Sequence, residues 1–161
     1  MPQMTILGWL HTVFGVFAVL SGFYTLYKHK FISLNDGAGK LYVFLTLIVA
    51  GSALGIYNQG GFGLGHILAL FTFFALLVGV IMERIRIFGN FSKYFQALGY
   101  TTTLLFHMIP AITDFLRRLP VGDPFVGSFN DPILINFLLT IILIYLLGIS
   151  IQLLSLKNHG K

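Results

Sequence analysis

The sequence contains no cysteine and little charge. Without cysteine, the chain forms no disulfide, thiolate metal site, iron–sulfur cluster or covalent c-type haem attachment. Only 9% of the 161 residues are charged, whereas an average soluble domain has about 25%. Five acidic and ten basic side chains cannot cover the surface of a water-soluble globule of this size. Because the surplus apolar surface must face lipid, we expect an integral membrane protein.

The arrangement of the bases and the lack of enzyme motifs reduce the number of functional classes to consider. The net charge is +5, but the bases are few and lie between apolar runs, so we expect no nucleic-acid partner. The sequence has no Gly-x-Ser-x-Gly, no His-Glu-x-x-His and no phosphate-binding loop. The single glutamate, Glu83, stands beside Arg84 and Arg86. We interpret this cluster as an anchor at the membrane interface and not as an acid–base pair.

What the sequence does contain is long apolar runs, since 57% of the residues are hydrophobic. Each run approaches the roughly 20 residues that cross a bilayer core. The Gly-rich turn at 58–63 separates the second run, which is the shortest, from the third. We therefore predict an all-α bundle of about five transmembrane helices in one domain, residues 1–161, with spans at 6–27, 41–57, 64–82, 95–116 and 133–156.

The distribution of basic residues predicts the orientation. Eight of the ten bases fall in the first loop, the third loop and the C-terminal tail, and the other two are Arg117 and Arg118. Basic loops favour the cytoplasmic side, so we expect the N-terminus outside and the C-terminus inside. The N-terminus has neither a basic region nor a small-residue cleavage site, so we expect the first span to be retained. The outer loop at 119–132 is either a cap over the bundle or a plain connector.

Polar side chains inside the predicted spans are the candidate functional residues, because they are costly in lipid and usually face the bundle interior. His11, His66 and His107 lie on three different spans, all in the outer half of the bilayer. Asp114 follows His107 by seven residues, which places it two turns further along the same helix face. Three histidines at similar depth predict a shared site for haem or a metal ion.

The surroundings of these histidines leave two interpretations. Gly15 lies one turn after His11 on the same face, and numerous phenylalanines supply apolar walls suited to a planar guest. Alternatively, each histidine only bonds a neighbouring helix, with Thr103 a candidate partner for His107. Gly51 and Gly55 form a Gly-x-x-x-Gly pair, which we interpret first as close packing within the chain and second as a homodimer seam.

The region from His11 to Asp114 resembles an uncharacterised family of small bacterial membrane proteins with several spans. The matching features are His11 with Gly15, Gly22 in the first span, the Gly-x-x-Tyr-Val segment at residues 39–43, and His66 after a Gly-rich turn. Asn35-Asp36 replaces the His-Arg pair common in that family. The resemblance implies a multi-pass protein of the bacterial inner membrane. More distantly, the pattern is similar to membrane b-type cytochromes, which implies at most one haem here, near the outer face.

These observations lead to three functional hypotheses. The first is a haem b-binding electron-transfer protein in which His66 and either His11 or His107 are axial ligands, with quinone or a membrane redox protein as partner. The second is a zinc site of His11, His66, His107 and Asp114 that acts on a lipid or small substrate. The third is a non-enzymatic subunit, assembly factor or small transporter.

Overall fold

The chain folds almost entirely into α-helices. The computed structural model describes residues 4–57 and 61–158, and these contain no strand. The helices are α1 (Ile6–His29), α2 (Gly37–Leu54), α3 (Leu64–Arg84), α4 (Ser92–Arg118) and α5 (Pro132–Asn158), and a short 3-10 turn at Gly89–Phe91 precedes α4. The predicted all-α fold is thus confirmed. Residues 58–60 of the predicted turn, and Lys161 of the basic tail, lie outside the described residues.

Four of the five helices are long and apolar enough to cross a membrane, namely α1, α2, α3 and α5. Their outward faces are apolar, and Leu147 and Ile151 on α5 are about two-thirds exposed. Helix α4 has 27 residues but carries more polar side chains. Helices long and apolar enough to span a membrane are therefore confirmed for four of the predicted spans. The crossing of α4 and the orientation of the termini stay predictions.

Capping residues mark where the first two helices begin. Thr5 accepts a hydrogen bond from the Gly8 N–H at 3.1 Å and starts α1. Asp36 accepts one from the Gly39 N–H at 2.7 Å, so α2 begins at Gly37, four residues before the predicted start. Helix α2 ends at Leu54, so the last three residues of the predicted second span are not helical. The other predicted spans differ from the helices by at most three residues at each end.

Helices α1 to α4 form a four-membered ring. Helix α1 packs on α2, α2 on α3, and α3 on α4, and α4 also contacts α1. Helix α5 packs on α4 from outside this ring. Because α2 and α4 stand on a diagonal, their inward side chains meet on the bundle axis. We name the end with the 30–36 and 85–91 loops the basic end, and the end with Tyr57 and Leu119 the opposite end.

Glycines allow the large side chains to fill this ring. A Cβ at Gly22 would lie 2.8 Å from the Tyr42 ring, and one at Gly79 would lie 2.6 Å from the Tyr100 ring. Tyr42 and Tyr100 are both fully buried. Gly22 and Tyr42, two positions of the family resemblance, are thus in contact. Small residues in membrane helices serve this close approach.

The Gly-x-x-x-Gly pair contacts the rest of its own chain. A Cβ at Gly51 would meet the Phe73 ring at 4.0 Å, and one at Gly55 would meet Leu7 at 3.0 Å. One glycine therefore faces α3 and the other faces α1. This geometry agrees with packing within the chain, and the homodimer stays a prediction.

The loop between α4 and α5 folds back on both helices. Val126 is buried against Leu116 and Leu134, and its N–H donates to the Leu116 carbonyl at 3.1 Å. The Arg117 guanidinium lies 3.6 Å from the centre of the Phe129 ring. This loop therefore covers the junction of α4 and α5, which is more than a plain connector does.

Candidate functional site

A line of polar side chains follows the axis of the four-helix ring. We name it the polar column, and its members are Glu83, Tyr100, Tyr42, Thr103, Thr46, His107, His11 and Ser52. Thr46 and Thr103 are fully buried, and His107 is 7% exposed. Apolar side chains surround the column, so its members must satisfy one another.

The centre of the column is built by α2 and α4. On α2, Tyr42 and Thr46 share a face, and on α4 Thr103 and His107 do the same, because residues four apart lie one turn apart. The Tyr42 hydroxyl lies 2.6 Å from the Thr103 hydroxyl, and the Thr46 hydroxyl lies 3.1 Å from His107 Nε2. Both pairs are separated by 61 residues, so the two helices run in parallel with a constant register.

The direction of one hydrogen bond follows from its neighbours. The Thr103 hydroxyl donates to the Tyr100 carbonyl at 2.7 Å, which uses its only proton. The Tyr42 hydroxyl must then donate to the Thr103 oxygen. The Tyr42 ring also lies edge-on to the His107 imidazole, with ring centres 6.2 Å apart.

Glu83 ends the column at the basic end. Its Oε2 accepts from the Tyr100 hydroxyl at 2.8 Å, and its Oε1 accepts from the Ser33 hydroxyl at 2.6 Å and the Leu34 N–H at 2.8 Å. Arg84 and Arg86 are exposed, and within residues 4–57 and 61–158 neither forms an ion pair with Glu83. The interfacial anchor formed by this cluster stays a prediction, but the bonds of Glu83 are to groups within the chain. This carboxylate holds the α1–α2 loop against α3 and α4.

His11 carries the column towards the opposite end. Its Nδ1 lies 3.0 Å from the Val49 carbonyl and 3.0 Å from the Ser52 hydroxyl. A carbonyl only accepts, so Nδ1 carries the proton, and in the neutral ring Nε2 has the free lone pair. His11 bonds Val49 and Ser52 on α2, and His107 bonds Thr46 on the same helix. Two of the three predicted histidines are thus brought together around α2.

His66 has a different environment. It is 5% exposed and packs between Tyr57 and Phe62, with ring centres 4.7 and 5.1 Å away. The Gly63 N–H donates to its Nδ1 at 3.1 Å, so the proton of the neutral ring is on Nε2. This Nε2 is buried and, in the part of the chain that the structure describes, has no hydrogen-bond partner. A protonated Nε2 has no lone pair for iron, which disfavours His66 as a haem ligand.

Asp114 lies near the surface and not in the column. Its side chain is 57% exposed and pairs with Arg118 at 3.5 Å. Although Asp114 was predicted to share a helix face with His107, its carboxylate lies at the surface and not beside the buried imidazole.

The predicted cofactor sites fit this geometry to different degrees. Among the described residues, no three His, Asp or Glu side chains are grouped so that they could hold one metal ion. The zinc hypothesis therefore gains no support. For haem, the free lone pair of His11 Nε2 fits an axial ligand, and Gly15 one turn away has nothing within 4 Å of an added Cβ. The donor chemistry thus favours His11 over His66 as an axial ligand.

Several members of the column were not predicted from the sequence as functional. Tyr42, Thr46 and Tyr100 are ordinary residues in an apolar run, and only their spacing of four or seven from other polar residues carries a signal. The partners of Glu83 lie 17 to 50 positions away along the chain. A periodicity argument within one helix finds none of these contacts.

Searches of protein-family models, of characterised proteins and of solved structures find no match to this chain. The resemblance to a bacterial membrane family and to b-type cytochromes therefore stays a prediction. What the site does must be argued from its own chemistry.

Proposed function

We propose that this chain is a membrane protein that carries protons along the polar column. The observation behind the proposal is the parallel register of α2 and α4. It aligns one hydroxyl–hydroxyl pair and one hydroxyl–imidazole pair on the bundle axis. Chains of carboxylate, hydroxyl and imidazole groups inside a membrane are typical of proton pathways. This function is the small-transporter form of the non-enzymatic hypothesis.

The chemistry of each group suits a step in such a path. Glu83 is a carboxylate that accepts protons at the basic end, and hydroxyls such as Tyr42 both accept and donate. His107 is an imidazole, whose two ring nitrogens let it accept a proton on one side and release one from the other. His11 Nε2 is the next base towards the opposite end. Water would bridge those members of the column that do not bond each other directly.

Proton flux into vesicles tests the proposal. Purified protein is reconstituted into liposomes that contain a pH-sensitive dye, and a potassium gradient with valinomycin supplies the driving voltage. We expect acidification well above that of protein-free liposomes, and at least about a tenfold lower rate for His107→Gln, because glutamine keeps a hydrogen bond but does not titrate. His29→Gln is the matched control, since His29 ends α1 outside the column. Wild-type vesicles that acidify no faster than empty ones would remove the proposal.

Haem b ligation by His11 and His107, with a role in electron transfer, is the second candidate. The specific observation in its favour is the His11 tautomer, because a ligating histidine usually donates its other N–H to a backbone carbonyl. A haem held there would supply one-electron redox chemistry, and the low-dielectric helix walls would tune its potential.

A reduced-minus-oxidised spectrum of protein expressed with ample haem separates the two candidates. Haem binding predicts a Soret shift in the wild type, retained in His66→Ala and lost in His11→Ala. A colourless wild-type protein would eliminate haem and leave the proton-flux result unaffected.

A further inference from the structure

A cleft of about 550 Å³ opens between α1, α4 and α5, outside the four-helix ring. Its walls are mainly aliphatic and aromatic, for example Phe23, Leu104 and Ile144. The volume falls within the usual range of ligand pockets, about 300 to 1,000 Å³. None of the polar-column residues lines it.

The polar atoms of the cleft lie towards its basic end and are largely satisfied within the chain. Gln152 accepts from the Thr101 hydroxyl at 2.9 Å and donates to the Lys30 carbonyl at 2.7 Å. The Tyr145 hydroxyl is bonded to Thr102 at 2.7 Å. The interior of the cleft is therefore suited to an apolar ligand, which needs no hydrogen bonds.

The Lys30 ammonium is the exception. Lys30 follows the last residue of α1, is exposed, and lines the mouth of the cleft. Across the described residues it forms neither an ion pair nor a hydrogen bond through Nζ. A free cation at the end of an apolar cleft in a membrane helix bundle complements an anionic lipid headgroup.

The cleft is long and narrow, which favours a lipid chain over a helix of another protein. Its lining on α5 runs from Ile141 to Ser155, about 21 Å at a rise of 1.5 Å per residue, so a volume of about 550 Å³ corresponds to a cross-section of about 26 Å². A helix about 10 Å across has a cross-section of about 79 Å². An acyl chain is far thinner and fits along the cleft.

We propose that this cleft binds one anionic phospholipid, with an acyl chain between α1 and α5 and the phosphate at Lys30. The proposal is independent of proton or electron transfer. Gly148 lines the cleft, and a Cβ added there meets nothing within 4 Å, so a larger side chain at this position enters the cleft without striking the backbone.

Native mass spectrometry of the detergent-purified chain provides the test. The protein is titrated with phosphatidylglycerol or with phosphatidylcholine of identical acyl chains. We expect one phosphatidylglycerol to bind about fivefold more tightly than phosphatidylcholine, which is the contribution of roughly one lysine. Lys30→Gln should abolish this preference, and Gly148→Phe should weaken binding of both lipids.

Two matched variants and one readout of folding complete the design. Lys40→Gln removes an exposed base that does not line the cleft, and Leu147→Phe places the same ring on the neighbouring position of α5. Both should bind like the wild type, and circular dichroism should show equal helicity throughout. Equal affinity for the two lipids in the wild type would overturn the proposal. So would a dimer that Gly148→Phe dissociates, because the cleft would then be a protein interface.

Discussion

Helices α4 and α5 have the same length, 27 residues, and differ in almost every other respect. Helix α4 contacts all four other α-helices and buries polar side chains such as Thr103 and His107. Helix α5 packs mainly on α4 and buries Leu134, Ile149 and Gln152. By composition α5 is a clear membrane span and α4 is not.

On the prediction that α4 also crosses the membrane, hydropathy measures exposure to lipid more directly than it measures position in a membrane. A helix that faces lipid on most sides must be apolar, whereas a helix surrounded by other helices can bury polar groups that bond each other. The least apolar helix, α4, contributes Tyr100, Thr103 and His107 to the candidate site. The following predictions compare a substitution in the four-helix ring with a matched substitution outside the ring or at the surface. They are given in order of decreasing expected effect.

The largest difference is expected between Gly99→Ala on α4 and Gly148→Ala on α5. A Cβ at Gly99 would lie 2.7 Å from the Ala75 carbonyl and from the Gly79 nitrogen, and backbone atoms cannot move aside. We expect a loss of about 3 kcal/mol from overpacking, more than the roughly 1 kcal/mol that alanine gains in helix propensity. Gly148→Ala should be neutral or slightly stabilising. Unfolding in mixed detergent measures both, and equal stabilities would contradict close α3–α4 packing.

Removing Glu83 should cost more than removing the exposed carboxylate of Asp114. Glu83→Ala leaves the Ser33 hydroxyl, the Leu34 N–H and the Tyr100 hydroxyl without their acceptor, for which we expect about 2 kcal/mol. Asp114→Ala breaks one exposed ion pair worth at most about 1 kcal/mol. The same unfolding assay decides between them. An Asp114 variant that is the less stable of the two would show that the loop is not held by Glu83.

Removing a hydroxyl from the polar column should destabilise the fold more than removing one between α4 and α5. Tyr42→Phe removes a fully buried donor, and we expect a loss of about 1 kcal/mol. Tyr145→Phe removes a partly buried bond to Thr102 and should cost less, about 0.5 kcal/mol. The two thermal unfolding curves, compared with that of the wild type, give the ranking. A reversed ranking would place the more important polar contact outside the ring.

The histidine tautomers give the most local prediction. ¹⁵N spectra of histidine-labelled protein should show the proton on Nδ1 of His11 and on Nε2 of His66 at a pH where both rings are neutral. The reason is that the first ring faces a carbonyl and the second faces an N–H. His11→Gln and His66→Gln assign the two signals. Finding the same tautomer at both positions would contradict the assigned contacts.

The sequence was sufficient to predict the helices, because apolar runs of this length bounded by glycine and charged residues leave few alternatives. It misplaced the start of α2, where Asp36 acts as an N-cap instead of standing in a loop. It identified His11, His66 and His107 as buried or half-buried polar groups. It did not distinguish His66 from the other two, because Tyr57, Phe62 and Gly63 determine that difference by their positions in space.

The central claim is that α2 and α4 form a single path for protons, and a double variant tests it most directly. Thr46→Val and His107→Gln change two residues that bond each other at 3.1 Å. On one path, the double variant should conduct protons into liposomes no more slowly than the slower single variant, while Thr102→Val with Tyr145→Phe should leave the flux unchanged. The claim would be contradicted if the double variant lost flux by the product of the two single-variant factors. It would also be contradicted if the double variant conducted protons at the wild-type rate.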